Sequence, residues 1–470
     1  MLKFYNSLTR QIDELKPIKD GVVSIYSCGP TVYDNAHIGN LRAFIIADTV
    51  ARIVRLAGYK TKHVMNITDV DDKTIGRSQQ EHEDSSPEDA LKTLSTHYEK
   101  RFMSDIEAVG IDISAIQFIR ATDSINSITD LIKELYKAGF AYIAEDGVYF
   151  SIDKYIKSGK TYGQLVELGA VADTKARINN DEYDKEDARD FALWKLAKPD
   201  EPVWPFELDG KDLGGRPGWH IECSAMSVGE LGQPFDIHTG GIDLMFPHHE
   251  NEIAQSTAGH EQKNLAKFFV HNEYLLVDKT KMSKSMGNFY TLEDILEHKF
   301  KPLSFRLFCL GSSYRTQADF TWENLASSHN RLKGLCNLAA LQWQAKSDDK
   351  DSGIYIDGTI VKINNFLLND LNTVEALAAL SEVQNKLEAS YLSEKQLDQF
   401  KELISLIDSV FGLDLGSTPD ISADQKRDIG KRDKARRSDD FNESDKIRDQ
   451  LKEQGIGLRD TSSSSVWFRL

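Results

Sequence analysis

The chain has 470 residues, 40% of them hydrophobic and 28% charged. That is the balance of a soluble globular protein with room for about three domains. The formal charge of -17 excludes a global attraction for nucleic acid, so any such site must be a local basic patch. No run of about 18 apolar residues occurs, and Met1-Leu2-Lys3-Phe4-Tyr5-Asn6 carries no signal-peptide core, so no membrane partner and a cytoplasmic location are expected.

The first strand signal is the apolar run Val22-Val23-Ser24-Ile25-Tyr26. Apolar residues then recur at helical spacing from Ile38 to Leu56, and residues 63–67 read as a second strand. Strand, helix, strand predicts parallel pairing and an α/β fold with ligands at the strand C-terminal ends. Residues 88–140 look helical. Val148-Tyr149-Phe150 lies in a short strand and is followed by a polar, charge-rich stretch at 179–189. This break in the α/β pattern marks residues of about 115–205 as an inserted subdomain. Strand signals resume at Phe235-Asp236-Ile237-His238 and over 268–277, and from Leu292 onward the period is helical. Polar runs at 346–353 and 416–424 read as linkers, and 462–465 as a low-complexity, mobile end. The expected architecture is a Rossmann-like parallel-sheet domain over 1–310 with that insertion. An all-α C-terminal region comes after it, divided into 311–415 and 416–470.

Four cysteines argue against a disulfide framework and leave metal binding open. Cys28 ends the first strand, and Cys223 lies in Gly218-Trp219-His220-Ile221-Glu222-Cys223. His248 and Glu252 stand at i and i+4 behind Pro247, a suitable first-turn residue, so both side chains share one helix face. Two thiolates, an imidazole and a carboxylate suit Zn²⁺ better than Mg²⁺ or Ca²⁺. The groups are scattered, so spacing alone leaves two buried cysteines and a capped helix as the alternative. Cys309 and Cys336 sit on apolar-periodic helices and read as core.

His37-Ile38-Gly39-Asn40 opens the first helix, and Lys281-Met282-Ser283-Lys284-Ser285 forms a charged loop after a strand. A helix N-terminus with an imidazole and a lysine loop can hold a nucleoside triphosphate. Gly39 allows close backbone approach, and Asn40 can donate to a phosphate oxygen. There is no G-x-x-x-x-G-K-[ST] segment, so the usual phosphate loop is excluded. Gly240-Gly241-Ile242-Asp243 suits a ribose, with Gly241 admitting the sugar and Asp243 accepting from its hydroxyls. Taken singly, these segments also read as a helix cap, a solvated turn and a tight turn.

Taken jointly, the pattern resembles the class I aminoacyl-tRNA synthetases, and closely the cysteinyl-tRNA synthetase family, over nearly the whole chain. The stretches that carry this are Tyr26-Ser27-Cys28-Gly29-Pro30-Thr31-Val32-Tyr33-Asp34, Asn66-Ile67-Thr68-Asp69-Val70-Asp71-Asp72-Lys73, 215–226, 243–252 and 281–285. The resemblance implies one zinc per subunit on Cys28, Cys223, His248 and Glu252, with the substrate thiol on that metal. It implies Thr68 and Trp219 in the amino-acid pocket. His37, Gly39 and Asn40 match the first ATP motif, with Asn40 replacing a final histidine, and Lys284 matches the mobile lysine beside Lys281. ATP with Mg²⁺, L-cysteine and tRNA(Cys) are the implied partners, and a monomer is the family expectation.

Residues 426–437 hold seven basic and two acidic residues, a local balance of +5. This stretch and the residues beyond it are similar to the family's anticodon-binding domain. Arg432, Arg436 and Arg448 are the expected phosphate contacts, and Trp467 the expected stacking residue. Residues 462–466 depart from the usual Pro- and Gly-containing turn. A rival reading, an ATP-dependent cysteine ligase acting on an amino sugar, resembles a branch without this tail.

Overall fold

Near-continuous apolar runs build the centre of the fold, as burial on both faces of a parallel sheet requires. Val22–Ser27 (β1), Lys60–Ile67 (β2), Ile116–Arg120 (β3), Phe235–Gly241 (β4) and Ala266–Asn272 (β5) pair in parallel throughout, in the order β5-β4-β1-β2-β3. Val23 and Ile25 of β1 and Phe235 and Ile237 of β4 are fully buried. The computed structural model describes residues 1–166, 190–259, 264–283, 286–345, 355–388, 392–461 and 465–470. The chain builds outward from β1 to β3, then returns to place β4 and β5 on the other side of β1. A crevice therefore opens at the C-terminal ends of β1 and β4, where such a reversal seats ligands.

Three helices bring side chains to that crevice. Ile38–Leu56 (α1) links β1 to β2, Trp219–Leu231 (α2) precedes β4, and Glu250–Thr257 (α3) lies between β4 and β5. The sequence reading missed β3, which sits inside the stretch that looks helical. As an edge strand it pairs on one side only and is partly buried, so its apolar alternation is weak. The insertion consequently starts after Arg120, not near 115. It contains helix Ile125–Lys137 and a four-stranded antiparallel sheet of Ala141–Ile143, Gly147–Phe150, Phe191–Leu196 and Gly215–Pro217. Its core, including Ile128, Phe150 and Trp194, packs on Ile221 and Ala225 of α2 and Ala254 and Ala258 of α3. The charged stretch 179–189 lies outside the described residues, as does 346–353.

The chain divides into two compact units, Met1–Lys299 with Tyr314–Phe320, and Phe300–Ser313 with Thr321–Leu470. Residues 314–320 return to the first unit because Ala318–Phe320 pairs in parallel with Leu275–Val277. The second unit is helical, as the periodicity predicts. Its tail runs through Ala423–Arg437 (α4) and Phe441–Glu453 (α5) and closes on an antiparallel hairpin, Ile456–Asp460 (β6) with Ser465–Arg469 (β7). The hairpin was not legible because each strand is only five residues long and a serine run separates them. Ser465, expected in a mobile end, is buried and hydrogen-bonded to Asp433. Among the described residues no helix is long and apolar enough to cross a membrane.

Arg42, fully buried on α1, holds the first unit together by donating to the carbonyls of Glu273, Tyr274 and Thr316. Replacing it removes a charged donor from all three, leaving Tyr274 O with Ala318 N and Glu273 O with Asn272 Nδ2. Arg42→Met is expected to cost about 3 kcal/mol or more, read as a lower urea midpoint for the first unit's unfolding.

Candidate metal centre and nucleotide pocket

Cys28 leaves β1 at the crevice, and its backbone N–H donates to Thr239 O of β4 at 3.3 Å. The preceding residue, Ser27, is hydrogen-bonded through Oγ to His63 Nε2 at 2.8 Å and to Thr239 Oγ1 at 2.7 Å. Cys223 comes from the second turn of α2. His248 lies in the turn just before α3, and Glu252 in the first turn of α3. Ligand atoms of Cys28, Cys223, His248 and Glu252 all fall within 4.8 Å of one another. The structure thus brings together all four residues that the sequence singles out.

The electrostatics fit a divalent cation. Burial first, then Cys223 and Glu252, pushes the Cys28 thiol well above its ordinary range. Burial also holds His248 well below its usual value, so its imidazole is neutral and its lone pair is available. His248 Nε2 is buried 3.1 Å from Glu252 Oε1 yet makes no hydrogen bond. Thiols and a carboxylate that repel one another, with a neutral imidazole between them, suit a bound Zn²⁺, which favours the deprotonated forms.

A second layer, which the sequence reading missed, holds these ligands. His238 Nε2 meets Glu252 Oε2 at 2.9 Å, His249 Nε2 meets Cys28 Sγ at 3.3 Å, and His220 Nδ1 meets His248 Nδ1 at 2.8 Å. Behind His249 stand His271 and then Ser7, each step 2.8 Å. The signal was present as histidines flanking both ligand segments. Such outer groups orient ligands and set their tautomers. Glu250 accepts the backbone N–H groups of Gly163, Gln164 and Leu165, tying the insertion to α3.

A cavity of about 430 Å³ extends from Cys28 past His37, Gly39 and Trp219 to Gly241, Asp243 and Lys281. His37 caps α1. Its Nδ1 accepts from Asn40 N at 3.1 Å, and Asn40 Oδ1 accepts from His37 N at 3.3 Å. The cap reading and the pocket reading of His37 therefore coexist. With Nδ1 spent as an acceptor, a neutral ring carries its proton on Nε2, a donor. The Asn40 NH₂ group has no partner among the described residues. A Cβ on Gly39 would stand 2.5 Å from Met282 Cε and 2.9 Å from the His37 ring, so the glycine leaves room for both side chains at the start of α1. A Cβ on Gly241 would stand 2.3 Å from Asp243 Oδ1. Lys281 Nζ lies 4.1 Å from the Tyr274 ring centroid. Lys284 falls outside the described residues.

Trp219 is 40% exposed at the start of α2, its ring stacked 4.2 Å from that of His248. Thr68 is buried rather than on the cavity wall, with Oγ1 donating to Glu222 Oε2 at 3.2 Å. Glu222 is itself fully buried, and burial, then Cys223 and two aspartates, raises its carboxyl well above the usual range. Cys309 is buried and Cys336 half-buried, in keeping with core positions.

The tail corrects two expectations. Arg432 is 2% exposed and pairs with Asp460 at 2.6 Å, and Trp467 is 4% exposed in the core with Ile429, Ile447 and Leu451. Neither presents a free surface to RNA, because the hairpin folds back over α4. Arg436 also pairs with Asp460, at 2.7 Å, and Arg448 is exposed 3.7 Å from Asp445. On α4, the exposed cations without a carboxylate partner among the described residues are Lys434 and Arg437, in its last turn. Phe441, 59% exposed, comes next at the start of α5.

Comparison with known proteins agrees with this geometry. The family model described as tRNA synthetases class I (C) catalytic domain matches residues 14–330. A cysteine–tRNA ligase from Koribacter versatilis is 38% identical, with 100% of this chain and 99% of that protein covered. One from Fusobacterium nucleatum is 39% identical, covering 99% and 100%. Among solved structures, the Mycobacterium tuberculosis methionyl-tRNA synthetase bound by methionyl-adenylate superposes with a TM-score of 0.61 at 15% identity, over 87% of this chain and 94% of that one. The Agrobacterium radiobacter LeuRS–tRNA–LeuAMS complex gives 0.59 at 11%, over 86% of each. The parallel sheet, its crevice and these neighbours define a class I tRNA synthetase fold. Within that class, the chain belongs to the cysteinyl-tRNA synthetase family.

His63 gives the site's surroundings a pH dependence. Its folded pKa is lowered from 6.5 to about 4, chiefly by burial. Between those values the unfolded chain binds more protons, so stability is present above 6.5 and is lost as pH falls toward 4. In metal-free protein, His63→Asn is expected to remove about 2–3 kcal/mol of the stability change between pH 7 and 4.5, read by urea unfolding.

Proposed function

We propose that the chain is a cysteine–tRNA ligase that activates L-cysteine with ATP and passes it to the 3′ end of tRNA(Cys). The observation that carries this reading is the Cys28, Cys223, His248, Glu252 cluster, which meets through Cys28 the same cavity as the His37 cap and Lys281. Bound there, one zinc per chain would supply a soft Lewis acid that prefers sulfur to oxygen. Cysteine and serine differ by that atom, and a shape-only pocket separates such near-isosteres by only about 1–3 kcal/mol. Trp219, stacked over His248, would wall the amino-acid side. Glu252, the one hard carboxylate of the set and bonded to His238, is the ligand assigned to loosen when the substrate sulfur binds.

In the activation step the cysteine carboxylate attacks the α-phosphate and pyrophosphate leaves. Positioning and charge stabilisation suffice for this chemistry. His37 Nε2–H, the Asn40 amide, Lys281 and Lys284 are assigned to the phosphates, and Gly39 admits them to the start of α1. Gly241 and Asp243 are assigned to the ribose, and ATP enters with Mg²⁺. Thr68 acts from beneath the pocket. Residues 1–310 would carry this chemistry, 311–415 contact the tRNA stem, and 416–470 read the anticodon. There, Arg436 and Arg448 are joined by Lys434 and Arg437 as phosphate contacts. Phe441 offers the stacking face that buried Trp467 does not. A cytoplasmic monomer accords with this role.

The deciding experiment is aminoacylation of cysteine-accepting tRNA with cysteine or serine, before and after zinc removal. Charging with cysteine alone, lost on chelation and restored by zinc, is the expected result. Cysteine-dependent pyrophosphate exchange without charging would move the assignment to the amino-sugar ligase. His37→Asn retains an N-cap oxygen and removes the ring. It is expected to slow cysteine-dependent exchange about 10²–10³-fold, the cost of one lost oxyanion donor.

A further inference from the structure

A buried hydrogen-bond chain runs between the neighbours of the two cysteines. It begins at Gly29, next to Cys28, whose backbone N–H donates to Asn66 Oδ1 at 2.8 Å. A backbone amide can only donate, so this bond fixes which way the Asn66 amide points. Asn66 Nδ2 then donates to Thr68 Oγ1 at 3.1 Å, and Thr68 Oγ1 donates to Glu222 Oε2 at 3.2 Å. Glu222 immediately precedes Cys223 on α2. Asn66 and Thr68 are 1% exposed and Glu222 is 0% exposed, so the Asn66–Thr68 and Thr68–Glu222 bonds are shielded from water, while the Gly29 bond is half-buried.

The backbone along this route is equally confined. A Cβ on Gly29 would stand 1.7 Å from Asn66 O. Thr68 N donates to Pro30 O at 3.0 Å, and Val32 N to Thr68 O at 3.0 Å, so the Cys28 loop lies along the end of β2. On the other flank of Cys28, Ser27 is bonded to His63 and Thr239. The Cys28 loop and α2 have no backbone hydrogen bond to each other among those of the described residues. The side chains of Asn66, Thr68 and Glu222 supply a direct polar link between them.

We propose that Asn66 and Glu222 are positioning residues that set the separation of the two thiolate ligands, with Thr68 as the link. This rests on the metal reading of the Cys28, Cys223, His248, Glu252 cluster. Zinc–sulfur bonds are short and tetrahedral angles narrow, about 2.3 Å per bond, so a shift of either cysteine weakens the site. Glu222 acts here as a hydrogen-bond acceptor for Thr68, and its charge is not required.

The test uses the full-length chain, zinc, and Co²⁺ as a spectroscopic substitute. Glu222→Leu and the isosteric Thr68→Val each break the chain at one bond. Both are expected to weaken zinc retention against a chromogenic chelator about 10–100-fold. Both should also shift the thiolate-to-cobalt absorption band. Glu222→Gln keeps an oxygen for Thr68 and is expected to stay within about threefold of the unaltered chain. Circular dichroism checks folding, and Thr68→Val carries the comparison if Glu222→Leu does not fold. Folded variants with unchanged zinc retention and cobalt spectrum would overturn the proposal, as would a Gln variant as weak as the Leu variant. An unaltered chain that binds no zinc would instead overturn the metal reading on which it rests.

Discussion

The two thiols, the imidazole and the carboxylate of the site arrive from β1, α2 and the start of α3, and three of the four residues are buried when they meet. Each gives up hydration, and the groups that can ionise repel one another. Burying them together is costly, and neighbouring polar side chains of the first unit are arranged around them. His238 of β4, His220 of α2 and His249 from the turn before α3 bond the ligands, and His271 of β5 bonds His249 in turn. Serine and threonine hydroxyls at the ends of β1 and β4 fix the backbone beside Cys28. A cation bound there would turn this collection from mutual repulsion into coordination.

Topology explains how residues so distant in the chain meet. Because β4 returns beside β1, the turn after β1 and the elements flanking β4 face a common crevice. The insertion lies between the two halves of that arrangement in sequence and packs on α2 and α3 in space. Its strands therefore brace the helices that carry Cys223 and Glu252. Glu250 makes the bracing specific, since one carboxylate accepts three backbone N–H groups from the insertion. The same crevice holds the capped start of α1, so Cys28, Trp219 and the His37 cap line one cavity.

Much of this was legible in the amino-acid sequence because chemistry sits where regular periods break. Cys28 ends an apolar run, His37 opens a helical period, and Gly241 and Asp243 close a strand. Such residues stand out against two simple repeats. What escaped were features set by tertiary partners. β3 is recognisable as a strand only beside β2. Arg432 lies in a basic run, and such runs are usually solvated. It is buried because Asp460 and Ser465 of a distant hairpin meet it. Trp467 reads as a free aromatic at a chain end until β7 turns it inward. The outer histidines carried a weaker signal. Each alone resembles an ordinary core residue, and only their convergence on Glu252 and Cys28 gives them a role.

The burial of Arg432 and Trp467 also changes how an acidic chain can meet RNA. With a net charge of -17, long-range attraction is unfavourable overall. At physiological ionic strength, however, exposed charges interact over only about 8 Å. Lys434 and Arg437, proposed as phosphate contacts at the C-terminal end of α4, would thus act within their own screening distance, largely independent of acidic residues elsewhere. Under that proposal the repulsive background would disfavour non-specific binding, while a few short-range cations and one stacking face would reward a correctly seated strand. Arg432, by pairing with Asp460, contributes indirectly: it holds the hairpin against the helix that presents those groups.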